Sequence, residues 1–174
     1  MVLKRVFSRP YGITLNNGSM DHLQQYLPMY IGSQVFSLVI LLLAWKRPVW
    51  TRYIFAALFV AAGAFNWYTA MTTPEVYLMY ADLTIPLYHD FITGWFKDHI
   101  TLLVPAIATG QVLIGAGLLA GGRWFDAACL GIVIFLLAIA PLGVGSAFPF
   151  SVTVSIAAYF VYRNRRRQNN KMAR

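Results

Sequence analysis

Charge is the scarcest commodity in this chain of 174 residues: 11% are Asp, Glu, Lys or Arg, and only six of those are acidic. Soluble domains carry about 25% charged residues. A surface with so little charge is unsuited to water, whereas one facing lipid needs none. Cysteine is almost absent as well. Cys129 is alone, so no intrachain disulfide can form. There is no paired-Cys motif, no phosphate-cradling glycine loop and no nucleophile elbow, which removes the usual signatures of covalent or nucleotide chemistry. Cys129 lies in an apolar run, where a small core residue is expected rather than a reactive thiol.

What the chain has instead is 59% hydrophobic residues, arranged in long runs. A spanning helix requires about 20 mostly apolar residues. Five segments approach this, over residues 29–45, 53–72, 100–120, 124–141 and 147–162, the last being short. Trp45, Trp50, Tyr53, Trp67, Trp95, Trp124 and Tyr162 lie near their ends, as in an interfacial aromatic belt. The expected fold is an all-α membrane bundle of five spans over residues 29–163, with a polar arm (1–28) and a basic tail (164–174).

The net charge of +8 is concentrated at the end of the chain. Arg163, Arg165, Arg166, Arg167, Lys171 and Arg174 follow an apolar stretch directly, the placement of a cytoplasmic anchor that attracts anionic headgroups. Nucleic acid is not an expected partner. Lys46, Arg47 and Arg52 mark the first connection as cytoplasmic, and Arg123 marks the third. With five spans this places the N-terminus outside and the C-terminus in the cytoplasm of a bacterial inner membrane. Lys4, Arg5 and Arg9 run against that assignment, but lie about twenty residues before the first span, where the rule weakens. The residues after Lys4 and Arg5 are too polar for a cleaved signal. In the arm, Ser19 is expected to cap a short helix that Pro28 ends.

The segment 73–99 is the most informative. Thr73, Pro74 and Glu75 read as a helix start. Val76, Met79, Tyr80 and Leu83 recur at helical spacing on one side, until Pro86 breaks the pattern. One or two amphipathic helices are expected, lying in the interface or closing the bundle as a lid.

Two sets of residues are candidates for a site. His89, Asp90, Asp98 and His99 combine imidazoles and carboxylates, a mixture that a divalent ion accepts. The histidines are ten apart with no H-E-x-x-H spacing, so no metal is expected. The competing readings are Asp98 as the cap of the third span with the others facing water or headgroups, or a histidine that gates a proton or meets a quinone headgroup. The amides within the spans, Gln34, Asn66 and Gln111, supply the second set, Asn66 and Gln111. A buried amide in hydrocarbon seeks a partner, so these two either tie helices together or line an internal pocket. Ala106, Gly110, Gly117 and Gly121 add small-residue spacing suited to close helix approach, with Gly115 one turn beyond Gln111. No charged residue lies within a span core, which argues against an ion-coupled pump.

The run from Arg52 to Asn66 resembles the first helix of the DoxX-like membrane proteins, which begin with arginine and continue through an apolar stretch with phenylalanine and glycine. Pro74 to Tyr88 is similar to the loop that follows, and Gly110 to Leu119 to the second helix, with Gln111 where that family often has glutamate. The resemblance covers about residues 52–162. It implies a four-helix bundle, here with an added N-terminal helix, and a link to membrane redox chemistry such as thiosulfate:quinone oxidation. The leading expectation is therefore a non-catalytic accessory subunit of a membrane redox or respiratory assembly. It would contact lipids and other membrane subunits, with no cofactor of its own and quinone as the one possible ligand. A bundle that binds or transports a small lipophile, and a quinone-linked sulfur oxidoreductase subunit, are the alternatives.

Overall fold

A computed structural model describes the backbone of residues 17–172, all of it helix and short connections, with no strand among the described residues. Six α-helices follow one another: α1 (Asn17–Lys46), α2 (Pro48–Thr72), α3 (Pro86–Phe91), α4 (Lys97–Ala120), α5 (Gly122–Ile139) and α6 (Phe150–Met172). A 3₁₀ segment (Pro74–Leu83) and a π turn (Ile92–Phe96) flank α3, and a second 3₁₀ segment (Ala140–Ser146) joins α5 to α6.

Four helical runs are long and apolar enough to cross a membrane: Leu27–Lys46, Pro48–Thr72, Pro86–Ala120 and Gly122–Gly143. Large apolar side chains such as Phe65, Leu102, Leu113 and Leu130 cover their outer faces. A monomeric water-soluble protein rarely exposes so continuous an apolar surface. Over its described residues the chain is an all-helical membrane protein. The fifth expected segment corresponds to α6, whose apolar part gives way to Arg163 before 18 residues are reached.

The helices form a ring in which α1 packs on α6, α6 on α5, α5 on α4, α4 on α2, and α2 back on α1. The antiparallel α2–α4 pair is the most extensive contact. Its inner residues recur every three or four positions, with Ala56, Phe59 and Gly63 on α2 facing Ala108, Gln111, Gly115 and Leu118 on α4. A Cβ on Gly63 would lie 2.7 Å from the Ala108 carbonyl, and one on Gly115 would lie 2.8 Å from that of Ala56. Close approach thus rests on these two glycines, not on the expected Ala106–Gly110 spacing. Gly110 has nothing within 4 Å, and Gly117 serves α5 instead, against Trp124 and Ala128.

Three expectations about the helices are corrected. Pro28 does not end a short N-terminal helix; α1 runs through it. The lost hydrogen bond is one gap in a helix of 30 residues, and prolines are tolerated in spanning helices, whose remaining backbone groups have no better partner in lipid. Asp98 does not cap the third span. Helix α4 begins at Lys97 with no side-chain hydrogen bond at its cap position, and Asp98 sits exposed in its first turn. The third correction concerns residues 74–83, which form 3₁₀ rather than α helix. At about three residues per turn the inner face becomes Leu78 and Ala81 with Tyr77, and Val76 and Met79 turn outward.

Candidate functional site

Residues 73–96 lie across the end of the bundle away from Lys46 and Arg165. They are fastened to the α5–α6 connection. Thr84 Oγ1 donates to the Pro141 carbonyl at 2.7 Å, and the Tyr88 hydroxyl donates to that of Ala138 at 2.8 Å. Ala138 lies in the last turn of α5 and Pro141 in the 3₁₀ segment that follows it, so both bonds land where the α-helical ladder ends. Proline sets each start here: Pro74 opens the 3₁₀ turn, and Pro86 opens α3 after an extended Ile85.

Beneath this cover lies a cavity of about 280 Å³. Its roof is aromatic, formed by Tyr77, Tyr80, Tyr88, Phe91 and Phe96, and its floor is apolar, from Val104, Ile107, Phe135 and Ile139. Asn66, near the end of α2, is the one amide in the lining. Asn66 Nδ2 donates to Gln111 Oε1 at 2.8 Å, and the Tyr77 hydroxyl lies 3.1 Å from Asn66 Oδ1 and 3.2 Å from its carbonyl. Tyr77, Asn66 and Gln111 thus form a polar line from cover to core, with Gln111 fully buried behind Asn66. Burial pushes the Tyr77 hydroxyl above its ordinary value of 10.0, and the neighbouring Tyr80 adds to the shift. The tyrosine stays neutral and remains a donor at physiological pH.

The acid–histidine set is not gathered here. His89 and Asp90 are exposed and pair with each other at 3.2 Å, Nδ1 to Oδ1. His99 stacks on Trp95, with ring centroids 4.3 Å apart, and its Nδ1 bonds to the Trp95 carbonyl at 2.8 Å. His99 also departs from helical geometry, so the Pro86–Ala120 run bends at Gly94 and again at His99. None of His89, Asp90, Asp98 and His99 lines the cavity. Among the described residues, no group of three or more His, Cys, Asp or Glu is placed to hold a metal ion. Of the six sequence-derived candidates, Asn66 and Gln111 meet; His89 and Asp90 are exposed on the cover, and Asp98 and His99 lie in the first turn of α4, outside the cavity.

Sequence reasoning missed the tyrosines as lining residues. Their signal was present in the density of aromatic residues between Tyr77 and Phe96, but which ring faces inward depends on the helix type. Chemically, the cavity can hold a flat apolar molecule and offer it hydrogen bonds from one amide and neutral phenols. It contains no ionisable group suited to acid–base work near neutral pH. The chain matches no protein-family model, no curated protein and no solved structure.

Proposed function

We propose that this protein is a membrane bundle that binds a small lipophile, holding a ring-bearing molecule with a hydrogen-bonding group under the cover formed by residues 73–96. The observation that carries the reading is the 280 Å³ cavity with aromatic walls and Asn66 as its one amide. Sites for small molecules are typically apolar concavities with a few placed polar groups. In this reading α6 completes a five-span bundle, whose basic end faces the cytoplasm of a bacterial inner membrane and whose cover faces outward.

The test is direct binding. Decylubiquinone titrated into the detergent-solubilised protein is expected to quench tryptophan fluorescence saturably, because Trp95 packs on Phe91, which lines the cavity. Asn66→Phe, which fills the cavity, should abolish the saturable part. Quenching that rises linearly with concentration in both proteins would refute the reading.

The DoxX-like resemblance over residues 52–162 supports a second reading, an accessory subunit of a membrane redox or respiratory assembly. A quinone in the cavity would unite the two. Purification from native membranes in mild detergent should then retain a redox partner or quinone, and a protein that runs alone without either counts against it.

A further inference from the structure

At the opposite end of the bundle, two arginines from different helices meet over one aromatic ring. The guanidinium carbons of Arg52 on α2 and Arg165 on α6 lie 5.2 Å and 4.3 Å from the ring centroid of Phe125 on α5. Terminal nitrogens of both approach Gly121, each within 4 Å of the position a Cβ would take there. Two like charges are therefore held close together against an apolar platform.

Arg52 has a structural role that accounts for it. Its Nε donates to the Leu118 carbonyl and its Nη2 to that of Leu119 at 2.9 Å, closing the C-terminal end of α4. Arg165 has no such account. Its Nη1 is buried and has no hydrogen-bond partner among the described residues. Asp126, the one acid on this side of the bundle, makes no ion pair within 4 Å of either arginine. A cavity of about 150 Å³ opens beside both guanidinium groups, with Asn164, Gln168 and Asn169 among its lining. These amides supply further donors and carry no negative charge.

A part-buried guanidinium with one buried, unpartnered nitrogen, set beside a second arginine and without a counter-charge, calls for an anion, and the planar fork of arginine matches phosphate oxygens two at a time. We infer that Arg52, Arg165 and the neighbouring amides form a phosphate-binding site on the platform of Phe125. Its ligand is a single phosphate group, carried by an anionic lipid or free in solution. This site is separate from the cavity under residues 73–96 and stands whether or not that cavity binds a lipophile.

The experiment titrates the full-length protein in dodecyl maltoside with phosphatidylglycerol, phosphatidylcholine or sodium phosphate, and reads bound species by native mass spectrometry. One phosphatidylglycerol is expected to be retained in preference to phosphatidylcholine. Arg165→Gln should weaken its retention about tenfold or more, the scale of a lost charge-assisted hydrogen bond. Arg166→Gln removes the same charge one residue away, from an exposed side chain bonded to the Tyr162 hydroxyl, and should leave retention nearly unchanged. Retention of sodium phosphate with the same dependence on Arg165, and no preference between the lipids, would uphold the site and assign it to the free anion. Equal weakening by the two substitutions, or no retention of either anion, overturns it. Should Arg165→Gln fail to fold, Arg165→Lys keeps the charge and loses the fork. It should weaken retention severalfold where Arg166→Lys does not, and equal affinities overturn the site.

Discussion

Gly115 and Gly110 occupy the same helix and differ only in what surrounds them. A Cβ at Gly115 would sit 2.5 Å from Val60 Cγ2 and 2.8 Å from a backbone oxygen that cannot swing away. Gly115→Ala should therefore destabilise the bundle by about 1–3 kcal/mol through overpacking. Gly110→Ala meets open space and should stabilise by up to about 1 kcal/mol through helix propensity. Detergent-exchange unfolding of the two variants against the parent checks both signs. The amide pair makes a second residue-scale case. Asn66→Leu leaves Gln111 Oε1 buried without its donor, a loss of about 1–3 kcal/mol. Interhelical hydrogen bonds in membranes average about 0.6 kcal/mol, so the lower end is expected. Asn66→Leu combined with Gln111→Leu should cost less than the two single changes added together, and a double-mutant cycle reads that coupling. The sequence marked Asn66 and Gln111 because amides are rare in apolar runs. It did not mark Gly63, and it marked Gly115 only alongside Ala106, Gly110, Gly117 and Gly121, because glycine spacing alone does not say which side of a helix meets a neighbour.

Among elements, the spanning helices were legible and the cover was not. Runs of apolar residues place α2, α4 and α5 to within a few residues, since lipid demands length and hydrophobicity whatever the packing. The segment 73–96 is helical as expected, but its register follows a choice between 3.6 and three residues per turn that composition does not make. The hydroxyl of Tyr77 couples this segment to α2. Because the folded state raises its pKa, the neutral form is favoured on folding. The associated stability is complete below pH 10.0 and is lost as pH rises toward the folded value. With the intrinsic base-catalysed rate divided out, protection of the amides in residues 73–96 should fall above that pH in the parent, while Tyr77→Phe should show the lower protection already at neutral pH and little further change attributable to this position. An unaltered pH profile in the variant would refute the coupling.

For the whole molecule, the proposed topology puts the cover and the basic end on opposite sides of the membrane. Cys129 is buried, so Cys129→Ala gives a background free of thiols. In that background Asp90→Cys should react with a membrane-impermeant maleimide added outside spheroplasts, and Arg167→Cys only after the membrane is opened. Both positions are exposed, so failure to react from the correct side would speak against the topology and not against access. The closed ring of helices has a further consequence. On α1, Tyr30 and Gln34 donate to the carbonyls of Phe148 and Ala147, at 2.7 Å and 2.6 Å, just before α6 begins. During synthesis α1 emerges more than a hundred residues before these acceptors exist. It must wait in the membrane with its polar side chains uncommitted, open to the insertion machinery or to passing helices, until the ribosome delivers α6 and the circle can shut.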